Sequence, residues 1–137
     1  DQSARKFLKD VNLDYPHGTG HGVGYFSNVH EGPQAISKGN KVKFKEGMIT
    51  SNEPGYYKKN HFGIRIENLI YVKKNKGKLK FENLTLVPLD KKLIEEKLLT
   101  VFEKNWLNKY HQKVFDGLKT FMNKFERNQL KQACSNI

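Results

Sequence analysis

The sequence predicts an α+β fold, and three observations carry that expectation. The middle of the chain holds runs rich in β-branched and aromatic side chains that alternate with period two. The last third spaces its apolar residues at i, i+3, i+4 and i+7, and no strand signal returns after Lys91. Strands first and helices last is the α+β order. A length of 137 residues suits one ordinary domain, and a hydrophobic fraction of 36% gives it a thin core.

Residues 1–9 carry Ala4, Phe7 and Leu8 at helical spacing, with Asp1 or Ser3 as the available cap. Residues 16–33 contain Pro16, Pro33 and five glycines, which argues against a continuous helix. A short strand is expected over 47–53, stopped by Glu53-Pro54-Gly55. Residues 63–73 read as one strand, and 79–89 as its partner after the hairpin loop Asn75-Lys-Gly-Lys78. Leu98 to Met122 reads as an amphipathic helix and Lys124–Ala133 as a second, short one. Residues 1–90 and 91–137 are therefore expected to form a sheet-bearing part and a helical extension. Trp106, Tyr110 and Phe121 are expected to be ordinary core, with a dimer contact as the competing role for this extension.

Composition narrows the function classes. The formal net charge is +11, from 25 Lys+Arg against 14 Asp+Glu, yet only three of the basic residues are Arg. Base readout and bidentate phosphate binding favour Arg, so a specific nucleic-acid binder is not expected. Thirteen Asn beside 22 Lys look instead like a compositional bias spread over solvent-facing positions. No apolar run is long enough to span a membrane. A single cysteine, Cys134, rules out a disulfide framework and a Cys-based zinc cage, and is read as a bystander thiol. With no apolar segment in residues 1–6, a cytoplasmic, reducing location is expected.

The chemistry-bearing residues crowd together. His17, His21 and His30 fall within fourteen positions, and Glu53 and Glu67 follow on strand ends or faces. His17 and His21 have the i, i+4 spacing of a helical zinc pair, but Gly18, Gly20 and Gly22 make a helix a poor host. An extended stretch would put His17, Thr19, His21, Val23 and Tyr25 on one face and glycines on the other, open to close approach by a ligand. On one strand, Arg65 and Glu67 would share a face. Taken singly, Glu67 is an ion-pair partner of Arg65 and Glu53 a turn residue. Together, the mixed His and Glu set suits a borderline divalent metal such as manganese or zinc.

Four blocks in this order, His17-Gly-Thr-Gly-His21-Gly-Val-Gly, Asn28-Val-His30-Glu-Gly-Pro33, Glu53-Pro-Gly-Tyr-Tyr57 and Gly63-Ile-Arg-Ile-Glu-Asn68, closely resemble the C-terminal catalytic domain of Xaa-Pro aminopeptidases. These are metallopeptidases of the pita-bread fold. Leu84-Thr-Leu-Val-Pro88 and Trp106-Leu-Asn-Lys-Tyr110-His111 are similar to its eukaryotic-type branch. The resemblance implies part of a pita-bread domain with a curved, mainly antiparallel sheet. It implies His21, Glu53 and Glu67 as three of five ligands to two divalent metal ions, manganese in the first place and zinc or cobalt in its stead. Glu67 would bridge the two metals, while Glu53 would also handle the proton of the attacking water. His17 would line the pocket for the substrate proline, His30 would steady the scissile carbonyl, and Arg65 would orient a ligand carboxylate. The implied reaction hydrolyses the bond between an N-terminal residue and a following proline, in a protein that resembles homodimers.

The family's other two ligands are aspartates on upstream strands, and Asp1, Asp10 and Asp14 stand in no such context. The expectation is that this chain supplies part of the metal site, binds metal weakly and is inactive alone. A non-catalytic pita-bread relative acting as a binding module is the alternative.

Overall fold

The computed structural model describes residues 1–26 and 28–137. In chain order the elements are α1 (Gln2–Lys9), β1 (Gly20–His21), β2 (Ala35–Ile36), β3 (Ile49–Asn52), β4 (Gly55–Lys58), β5 (Phe62–Arg65), β6 (Asn68–Asn75), β7 (Lys78–Asn83), α2 (Val101–Leu118) and α3 (Lys124–Ala133). They divide into two compact units, Asp1–Thr85 and Leu86–Ile137. The sequence pattern put that junction at 90/91. It falls earlier because Leu86 and Leu89 pack with the helical unit.

All strand pairs in the first unit are antiparallel. β6 is the centre of a three-stranded sheet, flanked by β3 with Ile49 opposite Tyr71 and by β7 with Asn75 opposite Lys78. Asn68, Ile70 and Val72 alternate inward along β6, the period-two pattern of a sheet with one covered face. The β6–β7 loop is two residues long, and Lys76 (φ 48°) and Gly77 (φ 78°) both take the left-handed conformation that a tight hairpin requires. β4 pairs with β5, and β1 pairs with β2.

The single strand expected over 63–73 is two. β5 ends at Arg65 and β6 begins at Asn68, because the chain changes partner there, from β4 to β3. Ile64 and Ile66 are consequently exposed, whereas Ile70 is buried. Arg65 and Glu67 therefore do not share one strand face. The following strand also stops at Asn83 rather than Leu89, where the chain passes into the helical unit. Between 17 and 25 only Gly20–His21 is strand, so the extended face expected there is confined to its centre, and Tyr25 is fully exposed.

In the second unit α2 begins with a capping box. The Thr100 hydroxyl accepts the Glu103 N–H, and the Glu103 carboxylate accepts the Thr100 N–H. Asn123 and Glu126 repeat the device at α3. Tyr110, Val114, Leu130 and Cys134 form the core, so Cys134 is a buried packing residue. Of the three aromatics expected inside, only Tyr110 is buried. Phe121 is exposed on the turn between the helices, and Trp106 is half-exposed, stacked on Tyr110 with ring centroids 5.5 Å apart. Lys91 ties down the end of α3 by donating to the Gln132 carbonyl at 3.4 Å, one of those a helix end leaves without an intrahelical partner, and to the Ser135 carbonyl just beyond at 2.7 Å.

Candidate functional site

The site forms where β1 lies against β3. The Thr50 hydroxyl donates to the His21 carbonyl at 2.8 Å, and the His21 N–H donates to Ser51 Oγ at 2.9 Å. A Cβ on Gly20 would sit 1.9 Å from the Ser51 carbonyl oxygen, so only glycine permits this approach. Two further bonds bring in Glu53, just past the end of β3. Its N–H donates to the Thr19 carbonyl at 2.7 Å, and its Oε1 accepts the Ser51 hydroxyl at 2.8 Å. Glu53 is thus buried at 7% exposure, which sets it apart from an ordinary turn residue.

This frame puts His21 Nε2 3.1 Å from Glu53 Oε1. The other ring nitrogen, Nδ1, faces the Gly22 carbonyl at 2.9 Å, and a carbonyl can only accept. A proton therefore belongs on Nδ1, and Nε2 is the ring nitrogen that faces a carboxylate oxygen. At that distance a proton on Nε2 or a cation bound by both atoms completes the contact. A backbone carbonyl holding Nδ1–H is also the arrangement that orients a metal-ligating histidine.

Arg65 closes the other side. Its Nη1 lies 3.3 Å from Glu53 Oε2, and its Nε donates to the Tyr57 hydroxyl at 2.9 Å. That bond, ahead of the nearby charges of Glu53 and Glu67, raises the guanidinium pKa further above its ordinary value. Tyr57 in turn lies 2.8 Å from His17 Nε2, while His17 Nδ1 lies 2.8 Å from the Gly18 carbonyl. The donors order themselves as Arg65 to Tyr57 to His17 to Gly18. The His30 ring packs against the His21 ring, 3.9 Å between centroids and tilted by 33°. A cleft of about 310 Å³ is lined by His17, Gly18, Gly20, His21, His30, Glu53 and Arg65.

Five of the six sequence-derived site residues thus meet around one cleft. Glu67 is the exception: it is exposed, on the two-residue link between β5 and β6, and joins the group only through the field it shares with Arg65. The ion pair made by Arg65 is with Glu53, not with Glu67. Among the described residues no three His, Cys, Asp or Glu side chains converge as a metal cage. His21 and Glu53 fit a divalent cation in kind, but the set is one side of a site and not a whole one. Ser51 and Tyr57 escaped sequence reasoning. Ser51 had a signal, since on the strand expected over 47–53 it lies two residues before Glu53 and would share its face. Tyr57 had none beyond its place in the Glu53-Pro-Gly-Tyr-Tyr57 block.

Residues 1–74 match the metallopeptidase family M24, and residues 77–137 match the C-terminal region of peptidase M24. The chain belongs to the metallopeptidase family M24. It is 50% identical over 134 residues to a probable Xaa-Pro aminopeptidase P of Botryotinia fuckeliana, covering 88% of this chain and 20% of that protein. It is 48% identical over 126 residues to aminopeptidase P2 of Arabidopsis thaliana, covering 85% and 18%. The solved X-prolyl aminopeptidase of Caenorhabditis elegans, described as a cytosolic enzyme with a di-nuclear active site, superimposes on all of this chain with a TM-score of 0.87 at 37% identity. This chain covers 24% of it. The fold is accordingly part of the pita-bread fold, as the four blocks implied. The chain spans about a fifth of the length of the curated relatives it matches.

Proposed function

We propose that this chain forms part of a metal-dependent aminopeptidase that hydrolyses the bond between an N-terminal residue and a following proline. The observation that supports it best is the meeting of His21 Nε2 and Glu53 Oε1, two atoms able to ligate metal, held together by Ser51, Gly22 and Arg65. His21, Glu53 and Glu67 would hold divalent metal, manganese first, with zinc or cobalt in its stead. A pair of such ions would supply Lewis acidity and a water acidic enough to attack at neutral pH. The chain's own residues do the rest. Glu53 takes and returns a proton beside the cleft, His30 steadies the scissile carbonyl, and His17 lines the subsite for the proline ring. Arg65 holds the Glu53 carboxylate in place.

The substrates on this reading are peptides with proline second, and the protein is cytoplasmic and a homodimer. A family relative that has lost catalysis and only binds is the second reading, favoured by the incomplete convergence of Glu67. An Xaa-Pro peptide cleavage assay with added Mn²⁺, run on the intact protein and on these 137 residues alone, separates the two. Turnover by the intact protein that disappears in Glu53→Gln supports the enzyme. An intact protein that binds such peptides without cleaving them supports the module. Robust turnover by the 137 residues would refute the expectation that they are inactive alone.

A further inference from the structure

We infer that Arg5 is a positioning residue that clamps the segment carrying His17, and so sets where that imidazole stands in the cleft. The inference rests on the role proposed above for His17 and extends it to a residue on α1, remote from the site motifs.

α1 buries no residue completely, and Ala4 and Leu8 are only half-buried, so packing alone holds it weakly. The Arg5 guanidinium adds a polar tie, from a side chain left only 11% exposed. Its Nε donates to Asp1 Oδ1 at 2.9 Å, and its Nη1 donates to Asp14 Oδ1 at 2.6 Å and to the Tyr15 carbonyl at 2.8 Å. Its Nη2 donates to the His17 carbonyl. The guanidinium plane also lies 4.0 Å from the Tyr15 ring centroid. Two of these four acceptors are backbone carbonyls of the strip leading to His17, and a planar fork with five N–H groups is the side chain able to serve them all.

Asp1 carries the clamp further. It stands at the N-cap position of α1, yet its carboxylate makes no capping bond. It accepts from Arg5 and from the Thr19 hydroxyl at 2.7 Å instead. Thr19 is fully buried, and since its proton goes to Asp1, it accepts from the Tyr15 hydroxyl. Its carbonyl is the group that receives the Glu53 N–H. Arg5 therefore reaches both sides of the cleft, His17 directly and the backbone of Glu53 through Asp1 and Thr19. The Asp14 carboxyl reports the same clamp, since its bond from Arg5 is the chief cause lowering its pKa.

The test is Arg5→Lys, which keeps the charge and loses the fork. In the intact protein without added metal, nitrogen-15 NMR follows the histidine rings, with His17→Ala assigning the His17 signals. The expected result is displacement or broadening of the His17 signals while those of His111, in the other unit, stay in place. Unmoved His17 signals would overturn the inference. In peptide cleavage, Arg5→Lys and His17→Ala should each lower kcat/KM roughly ten- to a hundredfold, the scale of a misplaced binding group. The double variant should lose clearly less than the product of the two single losses, because the part of the Arg5 effect that runs through His17 is already gone, and losses that multiply in full would overturn the inference by showing separate effects. Should Arg5→Lys not fold, Arg5→Gln takes its place, since its shorter amide loses the charge and cannot serve all four acceptors, and unmoved His17 signals in that variant would be equally fatal. Absence of cleavage by the unaltered protein would refute the proposed function, and the NMR arm would still decide the clamp.

Discussion

The Tyr57 hydroxyl is the atom on which two halves of the cleft meet. It accepts from Arg65, which also contacts Glu53, and it donates to His17. Tyr57→Phe deletes only that oxygen and leaves the ring beside Gly63. Hydrogen bonds of this kind contribute about 0.5–1.5 kcal/mol each, less where water can replace the partner. Stability measured by urea unfolding should therefore fall by no more than about 1–2 kcal/mol. The kcat/KM for Xaa-Pro peptides should fall further than that, because His17 and Arg65 both lose their reference point. Gly20 presents the opposite case, where the missing atom matters. Gly20→Ala forces a Cβ into the Ser51 carbonyl at 1.9 Å, on backbone that cannot yield cheaply. Overpacking of this type costs about 1–3 kcal/mol or more. The expected outcome is a lower unfolding midpoint together with loss of any divalent-cation binding that His21→Ala also abolishes.

At the scale of elements, the helices are secured locally and the strands are not. Thr100→Ala removes the acceptor for the Glu103 N–H at an exposed helix start, and should cost about 1 kcal/mol, read as a fall in the urea midpoint of the helical unit. The same contrast explains what could be read from the chain. The limits of α3, Lys124–Ala133, are legible because Asn123 and Glu126 cap it and its apolar spacing ends with it. The β6–β7 hairpin is legible because Lys76-Gly77 is a turn by its own chemistry. The break at Ile66 and Glu67 is invisible locally, since alternation continues through it, and what ends β5 is competition between β4 and β3 for partners. The cleft follows the same rule. His17, His21, His30 and Glu53 announce themselves by residue type and motif. The bonds that converge them, from Ser51, Tyr57 and Thr19, cross between segments that only the fold brings together.

Across the whole molecule the two units have different interiors, and acid should distinguish them. The first buries Thr19, Gln34, Thr50, Ser51, Glu53 and Asn68 beside Tyr15, Ile70 and Val72, whereas the second closes around Tyr110, Val114 and Leu130 with one fully buried imidazole, His111. His111 Nε2 accepts the Leu89 N–H at 3.1 Å, which requires a lone pair there and hence the neutral ring. Burial first, and then the nearby Lys91 ammonium, hold its pKa below the ordinary histidine value, against a weaker pull from the Ser135 backbone. Once unfolded, the ring takes a proton at about pH 6.5. Below that pH the unfolded state carries the extra proton and the folded state does not. Stability is therefore fully present above about pH 6.5 and drains away as the pH falls toward the folded-state value, at a limiting slope of about 1.4 kcal/mol per pH unit. Trp106 is the only tryptophan of these 137 residues and lies in this unit, so in these residues taken alone its fluorescence reads the unit. Its urea midpoint should fall between pH 7 and pH 5. In His111→Gln, which cannot titrate and still offers an oxygen to Leu89, the midpoint should change less over the same range. An equal fall in both proteins would place the acid sensitivity on other groups.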